Sequence, residues 1–124
     1  MLLKTRILVI VAIALSAFAQ ITLKYGMSRP QVQKALESMH YPALATAVCL
    51  NAGVVGGLVM YVGSMAFWLF VLAEMDVSQA YPFVGLGILL TSFFGYFFLG
   101  ESMNTYKIAG ALLVASGIIL LSFK

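Results

Sequence analysis

Four apolar stretches, residues 7–23, 53–73, 79–99 and 106–123, occupy most of a chain of 124 residues and hold one charged side chain between them, Lys107. A helix needs about 20 mostly apolar residues to cross a hydrocarbon layer of about 30 Å. Four crossings and short connections therefore use up the whole length. The composition agrees: 63% of the residues are hydrophobic and 9% charged, against roughly 25% charged in an ordinary soluble domain. So small a globule has too little interior to hide that much apolar surface from water. The expected architecture is an all-α membrane protein, one domain over residues 1–124, with four transmembrane helices and a short amphipathic helix between the first and second.

The start of the chain imitates a secretory signal, with Lys4 and Arg6, an apolar run and Ala17-Phe18-Ala19 as a small-residue cleavage site. The apolar pattern continues to Leu23 and the later segments also span, so an uncleaved first helix is expected. Residues 24–42 form the first connection, where Gln31 to Met39 can place Val32, Ala35, Leu36 and Met39 on one side of a surface helix. Residues 43–50 read as an extended approach to the second span. Pro82 is expected in the first turn of the third span, where its missing N–H costs little. Residues 100–104 are a short turn before the fourth span.

With four spans, Lys4, Arg6 and Lys124 share one side of the membrane, and Lys24, Arg29, Lys34 and Lys107 the other. Three against four is a weak bias, and the chain does not strongly choose an orientation. The single Cys49 and the single His40 lack partners for a disulfide or a metal cluster, so neither metal nor cofactor is expected. No nucleophile–base pair is visible either, which argues against an enzyme. Nucleic acid is not an expected partner.

Ser16, Gln20 and Lys24 are spaced i, i+4, i+8 and share one face of the first helix. They read either as interhelical glue with a snorkelling lysine or as a polar route for an anionic headgroup. Tyr61, Trp68, Tyr81 and Tyr96 suit a sugar or lipid-tail surface, and equally plain aromatic packing. Gly85 and Gly87 allow the third helix to bend or a neighbour to approach. Gly53, Gly56, Gly57 and Gly63 offer close packing in the second. Gly110 and Gly117 are two turns apart on nearly one face and mark a dimer contact. Glu74, Asp76 and Glu101 stand at span ends, and Glu101 reads as a helix-end charge.

Several short motifs resemble the small multidrug resistance proteins of the drug/metabolite transporter superfamily, the EamA-type transporters. LSAFAQITLKYG in the first span, Tyr81-Pro82-Phe83 before Gly85-Leu86-Gly87 in the third, and Gly110 and Gly117 in the fourth carry the resemblance. Ser16, however, stands eight positions before Lys24, where that family has its cation- and proton-carrying acid, and Val84 replaces its tryptophan. Ala19-Gln20, Trp68 and Val77-Ser78-Gln79-Ala80-Tyr81-Pro82 are more similar to the aminoarabinose-phosphoundecaprenol flippase subunits. That resemblance implies a multi-pass inner-membrane carrier of a lipid-linked sugar phosphate, acting as a homodimer or as half of a heterodimer. Substrate contacts would fall to Ser16, Gln20, Lys24, Tyr61, Trp68 and Tyr81. The alternatives are an exporter of cationic compounds that borrows a partner's acid, and an accessory subunit that transports nothing.

Overall fold

The computed structural model describes residues 3–123 and consists of helices α1 (Leu3–Met27), α2 (Pro30–Glu37), α3 (Tyr41–Cys49), α4 (Ala52–Glu74), α5 (Val77–Leu99) and α6 (Thr105–Ser122). Of these, α1, α4 and α5 are long and apolar enough to cross a membrane. The apolar part of α6, Thr105–Leu121, is shorter. The whole of α6, 18 residues, extends about 27 Å at about 1.5 Å each.

The helix ends are set by local chemistry. Asn51 starts α4 by accepting hydrogen bonds from the N–H groups of Gly53 at 2.9 Å and Val54 at 3.2 Å, donors that the first turn of a helix cannot pair internally. Asn104 starts α6 in the same way through Lys107 N–H at 2.9 Å. Gly100 closes α5 with φ 65°, the left-handed conformation that a residue without Cβ adopts most readily.

Two expectations need correction. Residues 43–50 are not extended, because α3 runs Tyr41–Cys49. His40 Nδ1 accepts from Ala43 N–H at 3.2 Å, Pro42 sits where a missing donor is harmless, and the alanines and leucine that follow favour a helix. Pro82 lies not in the first turn of α5 but in the second, because α5 begins at Val77. The carbonyl of Ser78 is thereby deprived of its helical donor. The surface helix is present as α2, ending at Glu37. Val32 and Ala35 are buried, whereas Leu36 and Met39 are exposed.

Helix α1 is the centre of the molecule. It packs along α4 and, on another face, along α5, while α4 and α5 touch each other little and α6 packs on α5. The core lies toward the N-terminal end of α1, where Val9, Ile13, Val71 and Ala80 are buried with Trp68, Leu72 and Phe83 against them. Thr5 donates a hydrogen bond to the Glu74 carboxylate just beyond this core, and Lys4 Nζ lies 3.6 Å from the same group. At the opposite end α1 and α4 meet backbone to backbone. A Cβ on Gly26 would fall 2.6 Å from Val54 N, and one on Gly57 would fall 2.7 Å from Leu23 Cγ. Asn51 Nδ2 donates to the Gly26 carbonyl there at 2.7 Å. Polar bonds thus pin α1 to α4 at both ends.

Candidate functional site: a cleft between three helices

Because α4 and α5 both rest on α1 without closing on each other, a cleft of about 450 Å³ remains between them. Helix α1 contributes Ala12, Ile13, Ser16 and Gln20, spaced as one helical face. The wall from α4 carries Tyr61, Ser64, Met65 and Trp68, and the wall from α5 carries Val84, Gly87, Ile88, Thr91 and Ser92. These positions fall in the middle of each helix, at membrane depth. The core adjoins the cleft toward the N-terminal end of α1, sharing Ile13 and Trp68 with it.

No charged side chain lines the cleft. Its serine and threonine hydroxyls are committed as donors to their own helices: Ser16 to Ile13 O at 2.9 Å, Ser64 to Tyr61 O at 2.7 Å, Thr91 to Gly87 O at 2.8 Å and Ser92 to Ile88 O at 2.9 Å. Their oxygens keep lone pairs free to accept. The Gln20 amide, the Tyr61 hydroxyl and the Trp68 indole N–H supply donors, and among the described residues none of the three has a hydrogen-bond partner. Acceptors and donors therefore alternate with apolar surface around an uncharged space. Such a lining suits a ligand rich in hydroxyl groups better than a free ion.

Of the six residues expected to contact substrate, Ser16, Gln20, Tyr61 and Trp68 meet in this cleft. Tyr81 stands behind it, edge-on to Trp68 with ring centroids 6.3 Å apart at 79°, a favoured aromatic arrangement that fixes the indole. Lys24 is exposed one turn beyond Gln20 and does not line the space. Gly87 borders the cleft with Ile13 Cγ2 3.6 Å from its ideal Cβ position, whereas Gly85 admits α6, since a Cβ there would meet Ile118 Cδ1 at 2.6 Å. Gly110 and Gly117 have no atoms within 4 Å of a built Cβ, so there is open space above each, and Gly110 also borders a groove between α5 and α6.

Ser64, Met65, Thr91 and Ser92 were not expected at the site. Ser64 falls at i+3 from Tyr61 and Thr91 at i+7 from Val84, so helical periodicity marks both once a single lining residue of each helix is known.

An apolar helical bundle around a membrane-depth polar cleft is the architecture of a multi-pass transporter, and residues 5–123 match the EamA-like transporter family. The chain belongs to that family. It is 32% identical over 116 residues, 89% of the chain and 87% of the relative, to a probable 4-amino-4-deoxy-L-arabinose-phosphoundecaprenol flippase subunit ArnF of Erwinia tasmaniensis. It is 29% identical over 112 residues, 89% of the chain and 84% of the relative, to a probable ArnF of Sodalis glossinidius. A probable flippase subunit ArnE of Hamiltonella defensa is 33% identical over 64 residues, 52% of this chain and 58% of that one. No solved structure matches.

Proposed function

We propose that this chain is one subunit of a flippase that carries an undecaprenyl-phosphate-linked sugar, bearing an amino group, across the bacterial inner membrane. The observation that carries the reading is the uncharged cleft in which Gln20, Tyr61 and Trp68 hold unpartnered donors beside the acceptor oxygens of Ser16, Ser64, Thr91 and Ser92. A sugar ring offers hydroxyls to both sets and an apolar face to the Tyr61 and Trp68 rings that line the cleft. The polyprenyl tail stays in lipid, so only the headgroup needs a protein surface. The names of the similar proteins supply the same chemistry: a polyprenyl, a phosphate and an amino sugar.

Helix α6 is the fourth span in this reading. Its length of about 27 Å falls a little short of the hydrocarbon thickness, a mismatch that a membrane accommodates by local thinning. Lys24, one turn past Gln20, meets the phosphate at the end of the cleft. A cleft open on one flank is completed by a second subunit, either a copy of this chain or a similar four-helix protein, and Gly110 and Gly117 provide the surface for close approach. The similarity to both ArnF and ArnE proteins supports a paired arrangement.

The test is delivery of the amino-sugar lipid to the outer leaflet, with and without this chain, in cells that retain the synthesis of that lipid. Delivery should require the chain and should fall at least about tenfold in Trp68→Ala at equal membrane abundance, as expected for loss of one well-buried aromatic contact. Unchanged delivery in cells lacking the chain would refute the assignment. Coupled export of quaternary ammonium compounds, for which the cleft holds no carboxylate, would instead support the cation exporter.

A further inference from the structure

The turn between α5 and α6 carries an acid that the fold folds back along a membrane helix. Glu101 N–H donates to the Gly95 carbonyl at 3.2 Å, and the side chain follows, so that a Cβ built on Gly95 would lie 2.7 Å from Glu101 Oε2. Gly95 is buried and lies four residues inside the end of α5 at Leu99, about 6 Å along the axis. Only glycine leaves room for the carboxylate at this place. Among the described residues no hydrogen bond or ion pair engages that carboxylate.

The acid belongs to a groove of about 390 Å³ between α5 and α6, distinct from the cleft. Lys107 borders the same groove, and Ile88, Leu89, Ala111 and Val114 form its apolar wall. Lys107 Nζ spends one donor on the Ser102 carbonyl at 2.7 Å, which leaves two of the three that an ammonium carries. The two opposite charges form no ion pair with each other. Ile88 and Ser92 border both this groove and the cleft, so one helix thickness separates the two spaces.

Glu101 and Lys107 are both exposed on the groove they border, so their charges meet whatever enters it. A simple cation drawn to Glu101 would be repelled by Lys107, and a simple anion drawn to Lys107 would be repelled by Glu101. A ligand with both signs and a hydrocarbon part satisfies the whole lining. We propose that this groove is a docking site for a polyprenyl phosphate bearing an amino sugar, in which Glu101 takes the protonated amine, Lys107 the phosphate and the apolar wall the first prenyl units. The proposal rests on the flippase reading above and adds to it a second place on the protein, outside the cleft, that recognises the amine. The sugar is chosen over an ordinary aminophospholipid because the groove adjoins a cleft whose donors and acceptors suit hydroxyl groups.

The experiment measures binding of a short-chain polyprenyl phosphate 4-amino-arabinose and of its N-acetyl form to the full chain in lipid nanodiscs, with phosphatidylethanolamine as competitor. The wild-type chain should prefer the free amine by about tenfold, the ratio that corresponds to one charge-assisted hydrogen bond of about 1.4 kcal/mol. Glu101→Gln should bring the two forms within about twofold while keeping affinity for the N-acetyl form, and Lys107→Gln should weaken both forms alike. Gly95→Ala leaves every charge in place and only pushes the flexible end of Glu101 aside, so it should fold and yet lose most of the preference. A full preference retained in Glu101→Gln, or equal competition by phosphatidylethanolamine, would overturn the proposal. Equal binding of both forms by the wild-type chain would also overturn it while leaving the flippase reading standing, and failure of both forms to bind would remove that reading as well.

Discussion

Asn51 Nδ2 donates a hydrogen bond to the carbonyl of Gly26 at 2.7 Å while its Oδ1 caps the first turn of α4. One side chain thus starts one helix and satisfies the end of another. The arrangement works because Gly26 and Gly53 let the two backbones meet, a Cβ on Gly53 falling 2.9 Å from Gly26 Cα. Together with the Thr5–Glu74 bond at the other end, it makes α1 and α4 a single unit on which α5 rests.

Breaking this junction should destabilise the bundle. Asn51→Ala removes a cap and an interhelical bond together, and should cost about 1–2 kcal/mol. Gly26→Ala should cost more, because the clash is with the Val54 backbone at 2.6 Å and the helices must part. Gly56→Ala, with nothing within 4 Å of the new Cβ, serves as the neutral control. Unfolding in mixed detergent micelles gives the order, and equal stability of Gly26→Ala and Gly56→Ala would contradict the packing.

Lys24 should behave as a phosphate contact rather than as an interchangeable surface cation. An exposed lysine that only reaches for headgroups tolerates glutamine at under about 1 kcal/mol. If it meets the substrate phosphate, Lys24→Gln should lower delivery of the lipid-linked sugar several-fold at normal abundance, and Lys24→Arg should retain more of it because the charge remains. Normal delivery by the glutamine variant would remove Lys24 from the route.

The open side of α6 should hold the subunit contact. Replacing both Gly110 and Gly117 by leucine adds bulk where a built Cβ now meets nothing, so the monomer should fold normally. Cross-linked dimers should disappear, since small residues are what permit membrane helices to approach closely. Dimers that persist unchanged in the double variant would place the contact elsewhere.

The membrane class of this protein follows from its sequence alone, because apolar length and the scarcity of charge leave lipid as the only solvent for most of its surface. The face shared by Ser16 and Gln20 was legible for a related reason: helical spacing is fixed by the backbone, whatever the helix packs against. Residues 43–50 differ from their expected extended form because a short apolar stretch carries no strong period, and His40 and Pro42 start α3 through local chemistry that composition does not display. Which helices leave a space between them lies beyond any single-helix pattern. Only the packing of α4 and α5 on α1 brings Tyr61, Trp68, Thr91 and Ser92 to one cleft, because contacts between distant segments depend on how side-chain shapes fit. The same holds for Glu101. Its position after Gly100 reads as a helix-end charge, and the left-handed turn at Gly100 and the bare backbone of Gly95 bring its carboxylate back against α5. Sequence distance set the acid at a helix end, and tertiary geometry decided what that acid can reach.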